Sequence, residues 1–172
     1  MVTEPLPRLT FVLGGARSGK SSFAEALLRR AEAPWLYVAT AEARDEEMAE
    51  RIERHKRERG SEWRTLEVPL DLAPALDGAG LGPALVDCLT LWLSNVLLAN
   101  RNLDEECDRL IATLTAVPGP LVVVSNEVGL GIVPETALGR AFRDAQGKLN
   151  QRVAALADRV VLLVAGLPLT LK

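Results

Sequence analysis

Two residue types that often carry chemistry are scarce in this sequence. Its 172 residues include one histidine, His55, and two cysteines, Cys88 and Cys107. The cysteines are far apart along the chain and form no C-x-x-C pair, so we predict two partly buried, reduced thiols in a reducing compartment. The lone histidine is the one side chain that can act as an uncharged nitrogen nucleophile near neutral pH.

Long apolar runs, a signal peptide and an excess of positive charge are also missing. No apolar run approaches the roughly 18–20 residues that span a bilayer, so we expect no transmembrane segment. Residues 1–7 lack a basic start followed by a long apolar stretch, and we therefore expect a cytoplasmic protein. A formal net charge of -3 does not favour a nucleic-acid-binding surface, and we expect no nucleic-acid partner.

The remaining composition is that of an ordinary globular chain. Hydrophobic residues make up 48% of the sequence and charged residues 25%. The length predicts one domain, residues 1–172, in which residues 1–8 form a loose N-terminal tail.

Apolar runs alternate with segments of helical periodicity along the chain. The runs predict strands over residues 9–13, 35–39, 64–68, 84–87, 121–125, 160–164 and 167–171. The periodic segments predict helices over residues 20–31, 43–59, 71–76, 89–99, 103–117 and 134–157, the last interrupted at Gly139 and Gly147. This alternation predicts an α/β fold with a mostly parallel sheet and helices on both of its faces.

Ligands of such sheets bind at the carboxyl ends of the strands. The predicted strands place four candidate groups at that edge, namely residues 14–21, Thr40, Asp87 and Asn126.

A glycine-rich segment between the first predicted strand and the first helix fits the pattern G-x-x-x-x-G-K-[ST]. It consists of Gly14, Gly15, Ala16, Arg17, Ser18, Gly19, Lys20 and Ser21. The backbone amides of such a loop bind nucleotide phosphates together with the positive N-terminal end of the next helix. Lys20 would neutralise the β and γ phosphates, and Ser21 would hold Mg²⁺, which is the expected cofactor. The alternative is a glycine-rich turn that binds nothing.

Asp87 ends a predicted strand. An acid at this position can reach a magnesium-bound water, as the second acidic motif of P-loop enzymes does. The alternative is that Asp87 caps the helix predicted to begin at Leu89.

His55 lies in a charged segment predicted to be helical. Apolar residues three and seven positions before it favour a buried histidine with one hydrogen bond. Four basic residues also crowd this end of the segment: Arg54, Lys56, Arg57 and Arg59. Such a cluster could receive a nucleoside triphosphate, and it keeps the imidazole in its neutral, nucleophilic form. A structural histidine and a histidine that carries a nucleotide covalently both stay open.

Residues 126–134 follow a predicted buried strand and are polar and glycine-rich. The segment lacks the third glycine of the dinucleotide-binding fingerprint. It weakly indicates a substrate loop, and the alternative is an ordinary turn between a strand and a helix.

Taken together, these segments resemble the bifunctional adenosylcobinamide kinase/adenosylcobinamide-phosphate guanylyltransferases of cobalamin synthesis. The resemblance rests on residues 14–21, 37–41, 47–48, 51–52, 55–56, 63–65, 86–90 and 126–134. It runs in order from about Leu9 to the C-terminus, and two segments, residues 126–134 and 51–56, are far more specific than the phosphate loop.

The resemblance implies a RecA-like P-loop fold and two successive reactions. A nucleoside triphosphate, ATP or GTP, phosphorylates the aminopropanol hydroxyl of adenosylcobinamide. GTP then guanylylates that phosphate, which gives adenosylcobinamide-GDP and pyrophosphate. The second reaction passes through a GMP–histidine intermediate, and the matching residue is His55.

The resemblance further implies a homotrimer and a set of nucleotide contacts. These contacts are residues 14–21 together with Thr40, Ala41, Glu42, Lys56, Arg57, Glu58, Arg59, Glu67 and Asp87, of which Ser21 and Asp87 hold the metal.

Two other functions stay open on the residues alone. One is a single-activity P-loop kinase of a small molecule, in which His55 is structural. The other is a nucleotide-driven switch that transfers no group. Retention of GMP on the protein distinguishes the guanylyltransferase from both.

Overall fold

The computed structural model of the protein describes residues 5–43, 46, 50, 59–78 and 82–172. Its strands are β1 (Leu9–Gly14), β2 (Trp35–Ala39), β3 (Trp63–Glu67), β4 (Ala84–Asp87), β5 (Leu121–Asn126), β6 (Arg159–Val164) and β7 (Leu167–Thr170). Its helices are α1 (Lys20–Leu28), α2 (Leu72–Gly78), α3 (Leu89–Leu98), α4 (Leu103–Ala116) and α5 (Ala137–Leu156). The helix predicted over residues 43–59 lies mostly outside the described residues, although Glu46 and Glu50 are helical.

The strands form one sheet in the order β3-β2-β4-β5-β1-β6-β7. Every pairing is parallel except that of β6 with β7, which is antiparallel. The central strands β1 and β5 are buried along nearly their whole length and are mostly apolar. Both faces of a parallel sheet are covered, so its inner strands cannot alternate with polar residues. The predicted α/β fold with a mostly parallel sheet is confirmed.

Side chains that alternate along the strands fill two cores, one on each face. On one face, Phe11 and Val123 pack with buried leucines, valines and Trp92 from α2, α3, α4 and α5. On the other face, Val12 and Val124 pack with residues of α1 and with the aromatic side chains of β2 and β3. Each fully buried Leu or Val contributes about 1.5–3 kcal/mol to this packing.

The predicted helices differ from those observed most clearly at the end of α1 and in the middle of α5. Helix α1 ends at Leu28, three residues before the predicted end, because the amides of Arg30 and Ala31 bond to carbonyls three residues back. Helix α5 runs without a break through Gly139 and Gly147, so the predicted interruptions are wrong. A glycine inside a helix costs only about 1 kcal/mol relative to alanine, less than the apolar burial that holds α5 to the sheet.

The predicted loose tail, residues 1–8, lies partly outside the described residues. Within it, Arg8 donates hydrogen bonds to the carbonyl oxygens of Leu114, at 2.9 Å, and Val117, at 3.3 Å. Arg8 is therefore fixed to the end of α4.

The strand order brings the predicted ligand-binding groups to one edge of the sheet. In the paired strands, Gly14 lies opposite Asn126, while Asp87 lies between Ala39 and Val124. The carboxyl ends of β2, β4, β5 and β1 are therefore consecutive. None of the helices in the described part of the chain combines the length and the apolar character that a membrane span needs.

Candidate nucleotide site

The phosphate loop, residues 14–21, joins β1 to α1 in the predicted strand–loop–helix arrangement. Gly19, at φ 90°, is the N-cap of α1 and provides no side-chain cap. In the described part of the chain, the amide of Ser21 donates to no backbone carbonyl. An amide left in this way at a helix N-terminus favours the binding of an anion such as a phosphate.

The loop is packed tightly against the turn between β6 and β7. A Cβ atom at Gly14 would collide with Ser18 Oγ and with the carbonyl oxygen of Leu163. The amide of Gly166 donates to the carbonyl oxygen of Ser18 at 3.0 Å. Ser18 Oγ is buried and has no hydrogen-bond partner among the described residues. The loop thus has a fixed shape, with polar groups that its own fold does not fully satisfy.

Lys20 begins α1 and is 9% exposed. Its Nζ donates to the carbonyl oxygen of Gly15 at 3.1 Å. This bond folds the ammonium group back over the phosphate loop, where it can stabilise the charge of bound phosphates.

Asp87 accepts a hydrogen bond from a neighbouring tyrosine and does not cap a helix. The hydroxyl of Tyr37 donates to Asp87 Oδ2 at 2.9 Å. The N-cap of α3 is Cys88, without a side-chain cap, so the interpretation of Asp87 as the cap is wrong. Because Leu85 packs in the core on the α1 face, strand alternation places the Asp87 side chain on that same face.

A stacked arginine completes this arrangement. The guanidinium carbon of Arg59 lies 3.4 Å from the centroid of the Tyr37 ring, and Arg59 NH1 donates to Thr65 Oγ1 at 3.4 Å. Burial, together with the charge of Asp87, raises the pKa of Tyr37, which therefore stays protonated and donates to Asp87. The nucleotide contact predicted for Arg59 stays a prediction, but its guanidinium already packs on Tyr37.

The predicted catalytic residue His55 lies outside the described residues, as do the predicted contacts Lys56, Arg57 and Glu58. Their roles stay predictions. Arg59, four positions after His55, is the first described residue of that segment at its C-terminal side.

Thr40 has a fully buried side chain that joins β2 to the start of α3. Its Oγ1 donates to the carbonyl oxygen of Cys88 at 2.7 Å and accepts from the amide of Cys88 at 2.8 Å. The side-chain amide of Asn95 donates to the carbonyl oxygen of Thr40 at 2.8 Å. Thr40 thus fixes the backbone next to Asp87. Its own contact with nucleotide stays a prediction, as do those of the partly exposed Ala41 and Glu42 and the exposed Glu67.

A buried polar network beneath Asn126 was not predicted from the sequence. Ser125 Oγ donates to Asn150 Oδ1 at 2.8 Å and accepts from Gln146 Nε2 at 2.9 Å. The amide of Asn126 donates to Thr90 Oγ1 at 2.7 Å, and Asn150 Nδ2 donates to the carbonyl oxygen of Asn126 at 3.0 Å. The network fixes the end of β5 from the face opposite α1.

The side-chain oxygens of Ser21 and Asp87 at this edge are of the type that magnesium binds. Ser21 lies in the first turn of α1, and Asp87 Oδ1 accepts no hydrogen bond from the described residues. These residues also contain no group of three or more His, Cys, Asp or Glu side chains that could hold a metal ion. Magnesium bound with nucleotide takes one or two protein oxygens and keeps several waters, so Ser21 and Asp87 fit it.

Comparison with known proteins agrees with this geometry. A profile of the family described as cobinamide kinase / cobinamide phosphate guanyltransferase matches residues 10–171. The chain is 48% identical over 165 residues to the bifunctional adenosylcobalamin biosynthesis protein CobP of Pseudomonas aeruginosa. This alignment covers 94% of this chain and 95% of that protein. It is 43% identical over 182 residues to the bifunctional adenosylcobalamin biosynthesis protein CobU of Salmonella typhimurium. That alignment covers 95% of this chain and 99% of CobU.

The fold is similar to that of a solved ATPase from the type III secretion system of pathogenic bacteria, with a TM-score of 0.56 and 11% identity over 95% of this chain and 56% of that one. This likeness supports the predicted P-loop NTPase fold and nothing beyond the fold. The chain belongs, as its sequence motifs predicted, to the cobinamide kinase / cobinamide phosphate guanyltransferase family.

Proposed function

We propose that the protein phosphorylates adenosylcobinamide with ATP or GTP and then transfers GMP from GTP to the new phosphate, which yields adenosylcobinamide-GDP and pyrophosphate. One observation carries the proposal: Lys20 lies over the phosphate loop, with Asp87 at the same sheet edge, in a chain of this family. The family description names both a kinase and a guanyltransferase. It therefore favours a bifunctional enzyme over a single-activity kinase or a nucleotide switch.

In the kinase step, the hydroxyl oxygen of the substrate forms a bond to the γ-phosphorus, the bond from that phosphorus to the β–γ bridging oxygen breaks, and the hydroxyl proton passes to solvent. The loop amides and Lys20 stabilise the negative charge that grows on the departing diphosphate. In this phosphoryl transfer the protein forms no covalent bond to the reactants, so alignment of the hydroxyl with the γ-phosphate provides most of the catalysis.

In the guanylyl step, an imidazole nitrogen of His55 attacks the α-phosphorus of GTP, and pyrophosphate leaves. The phosphate of the substrate then attacks the same phosphorus and releases His55. The role of His55 is supported by the family's description and by its being the one histidine of the chain. Because pyrophosphate comprises the former β and γ phosphates, the phosphate loop and Lys20 can serve both reactions.

We infer that Ser21 and Asp87 hold Mg²⁺ in both reactions. When bound, the ion neutralises charge shared between adjacent phosphates. Tyr37 fixes the orientation of the Asp87 carboxylate through its 2.9 Å hydrogen bond. Thr40 fixes the backbone that follows Asp87.

A cytoplasmic location and a homotrimer are further proposals. An exposed apolar strip at one edge of the sheet could form the contact between copies. It consists of Leu167 and Leu169 of β7 and of Leu171, which follows β7. Light scattering on the purified protein measures its mass, and a monomer contradicts the proposed trimer.

Product analysis tests the proposed function. The protein is incubated with adenosylcobinamide and γ-labelled ATP, and separately with α-labelled GTP, and the corrinoid products are separated. The proposal predicts a phosphorylated corrinoid in the first reaction and a corrinoid that carries GMP, with free pyrophosphate, in the second. Phosphorylation without guanylylation supports the single-activity kinase, and hydrolysis with no labelled corrinoid supports the switch.

A further inference from the structure

The loop between β5 and α5, residues 127–136, presents aliphatic side chains to solvent. Leu130 is 85% exposed, Ile132 98% and Val133 59%, and Leu138 in the first turn of α5 is 56% exposed. Single exposed aliphatic residues are common on protein surfaces, but several in one short segment indicate an interaction surface. We call these four residues the apolar patch.

Both ends of this loop are fixed. At its start, Thr90 and Asn150 bond the amide and the carbonyl of Asn126. At its end, Arg140 NH1 donates to the carbonyl oxygens of Pro134, at 3.0 Å, and Glu135, at 2.7 Å. Both ends of the loop are therefore held in place, and the exposed side chains of Leu130, Ile132 and Val133 lie between them.

Glu127 also shapes the first turn of the loop. Its Oε1 accepts a hydrogen bond from the amide of Gly129 at 2.7 Å. This contact closes the backbone just before Leu130, the first residue of the apolar patch.

The loop leaves the sheet next to the phosphate loop. Asn126 pairs with Gly14, and the amide of Glu127 donates to the carbonyl oxygen of Gly14 at 3.1 Å. Three residues of chain span at most about 11 Å, so Leu130 lies no farther than this from Glu127. The apolar patch therefore begins close to the backbone of the phosphate loop.

The chemistry of this surface selects one kind of occupant. Residues 128–134 contain no charged side chain. A corrin ring is large, carries methyl groups and neutral amides at its rim, and has an aminopropanol arm that must reach the γ-phosphate. A second copy of this chain placed here would cover the nucleotide edge, whereas the strip on β7 lies at the outer edge of the sheet.

We propose that the apolar patch is the docking surface for the corrin ring of the cobinamide substrate, and that it places the aminopropanol hydroxyl at the phosphate loop. This inference rests on the proposed function, because it assumes that cobinamide is the phosphoryl acceptor. The phosphate loop then recognises the nucleotide, and the loop between β5 and α5 recognises the acceptor.

The double variant Leu130→Ser/Ile132→Ser tests the docking surface, because both side chains are exposed and their loss removes little packing. Leu98→Ser is the matched control, since Leu98 is 50% exposed at the far end of α3. The Kd of cobinamide is measured by equilibrium dialysis without nucleotide, and the KM values of cobinamide and ATP are measured in the kinase assay.

We expect the double variant to raise the Kd and KM of cobinamide by about tenfold or more, as the loss of apolar contacts in a substrate site does. The KM of ATP and the acceptor-independent labelling of the protein by α-labelled GTP should not change, and Leu98→Ser should match the parent. An unchanged Kd and KM of cobinamide overturns the inference. So does a variant whose mass in solution falls while its Kd stays the same, because the patch is then a contact between copies.

The same data separate the inference from the proposed function. If the parent binds cobinamide but does not phosphorylate it, the proposed function fails, and the Kd values still decide whether the patch binds the ring. If the parent does not bind cobinamide, both fail.

Discussion

Lys20 is the residue on which both proposed reactions depend. Its ammonium group lies 3.1 Å from the carbonyl oxygen of Gly15 and can move to a phosphate oxygen without leaving the loop. We predict that Lys20→Ala lowers kcat/KM for both reactions by about 100-fold or more, a usual effect of removing a group that stabilises transition-state charge. Lys148→Ala, an exposed position on α5, is the control. Unchanged kcat/KM in both assays, with the variant folded, contradicts a shared phosphate site.

Tyr37 and Asp87 allow a graded test of the magnesium site. Tyr37→Phe removes the hydrogen bond to Asp87 but keeps the ring on which Arg59 stacks. A hydrogen bond to a charged group contributes about 1.5–3 kcal/mol, so the Mg²⁺ concentration for half-maximal kinase activity should rise about tenfold or more. Asp87→Asn should raise it further, because it also removes the charge. Magnesium titrations that coincide for parent and variants would show that Asp87 does not serve the metal.

At the scale of elements, the network between α5 and β5 determines where the substrate loop begins. Asn150→Leu removes the donor to the Asn126 carbonyl and the acceptor of the Ser125 hydroxyl. Each buried polar group left without a partner costs about 1–3 kcal/mol, so we predict a loss of about 3 kcal/mol in the free energy of unfolding, measured by urea denaturation. A fall in kcat/KM for cobinamide should accompany it. Gln151→Leu, at the adjacent exposed position, is the control and should alter neither.

The strands and the phosphate loop could be predicted from the sequence because their signals are local. Residues 9–13 and 121–125 are short, mostly apolar runs bounded by turns, and the glycine pattern between β1 and α1 sets its own geometry. The break predicted at Gly147 was wrong because a glycine penalty is small beside tertiary packing.

The contacts that support the site join residues far apart in the chain. The stacking of Arg59 on Tyr37 and the bond from Tyr37 to Asp87 have no sequence pattern. The polar network at the end of β5 could be predicted in part. Gln146 and Asn150 are polar residues four apart, on the face of α5 that also buries Leu149 and Val153. Polar residues on a buried helix face indicate hydrogen bonding there, but they do not identify the partner.

At the scale of the whole molecule, the buried thiol of Cys88 links stability to pH. Burial first, and the charge of Asp87 second, raise the pKa of Cys88 from 9.0 to about 11. The unfolded chain therefore loses this proton before the folded one does. The stabilisation is complete below pH 9 and is lost as the pH rises to about 11, at up to about 1.4 kcal/mol per pH unit. Urea denaturation at several values in this range should show a shallower decline for Cys88→Ala, and equal slopes contradict the prediction.

The two proposed activities differ in their need for the one histidine of the chain, and labelling of the protein with GTP measures that difference. The protein is incubated with Mg²⁺ and either α-labelled or γ-labelled GTP, denatured, and digested for peptide mapping. We predict label from α-labelled GTP alone, on the peptide that contains His55, in a linkage that acid breaks and alkali does not, as for a phosphoramidate. His55→Ala should lose this label and the guanylyl transfer yet still phosphorylate cobinamide. A folded His55→Ala variant that still accumulates GMP, or a parent labelled at another residue, would contradict the account.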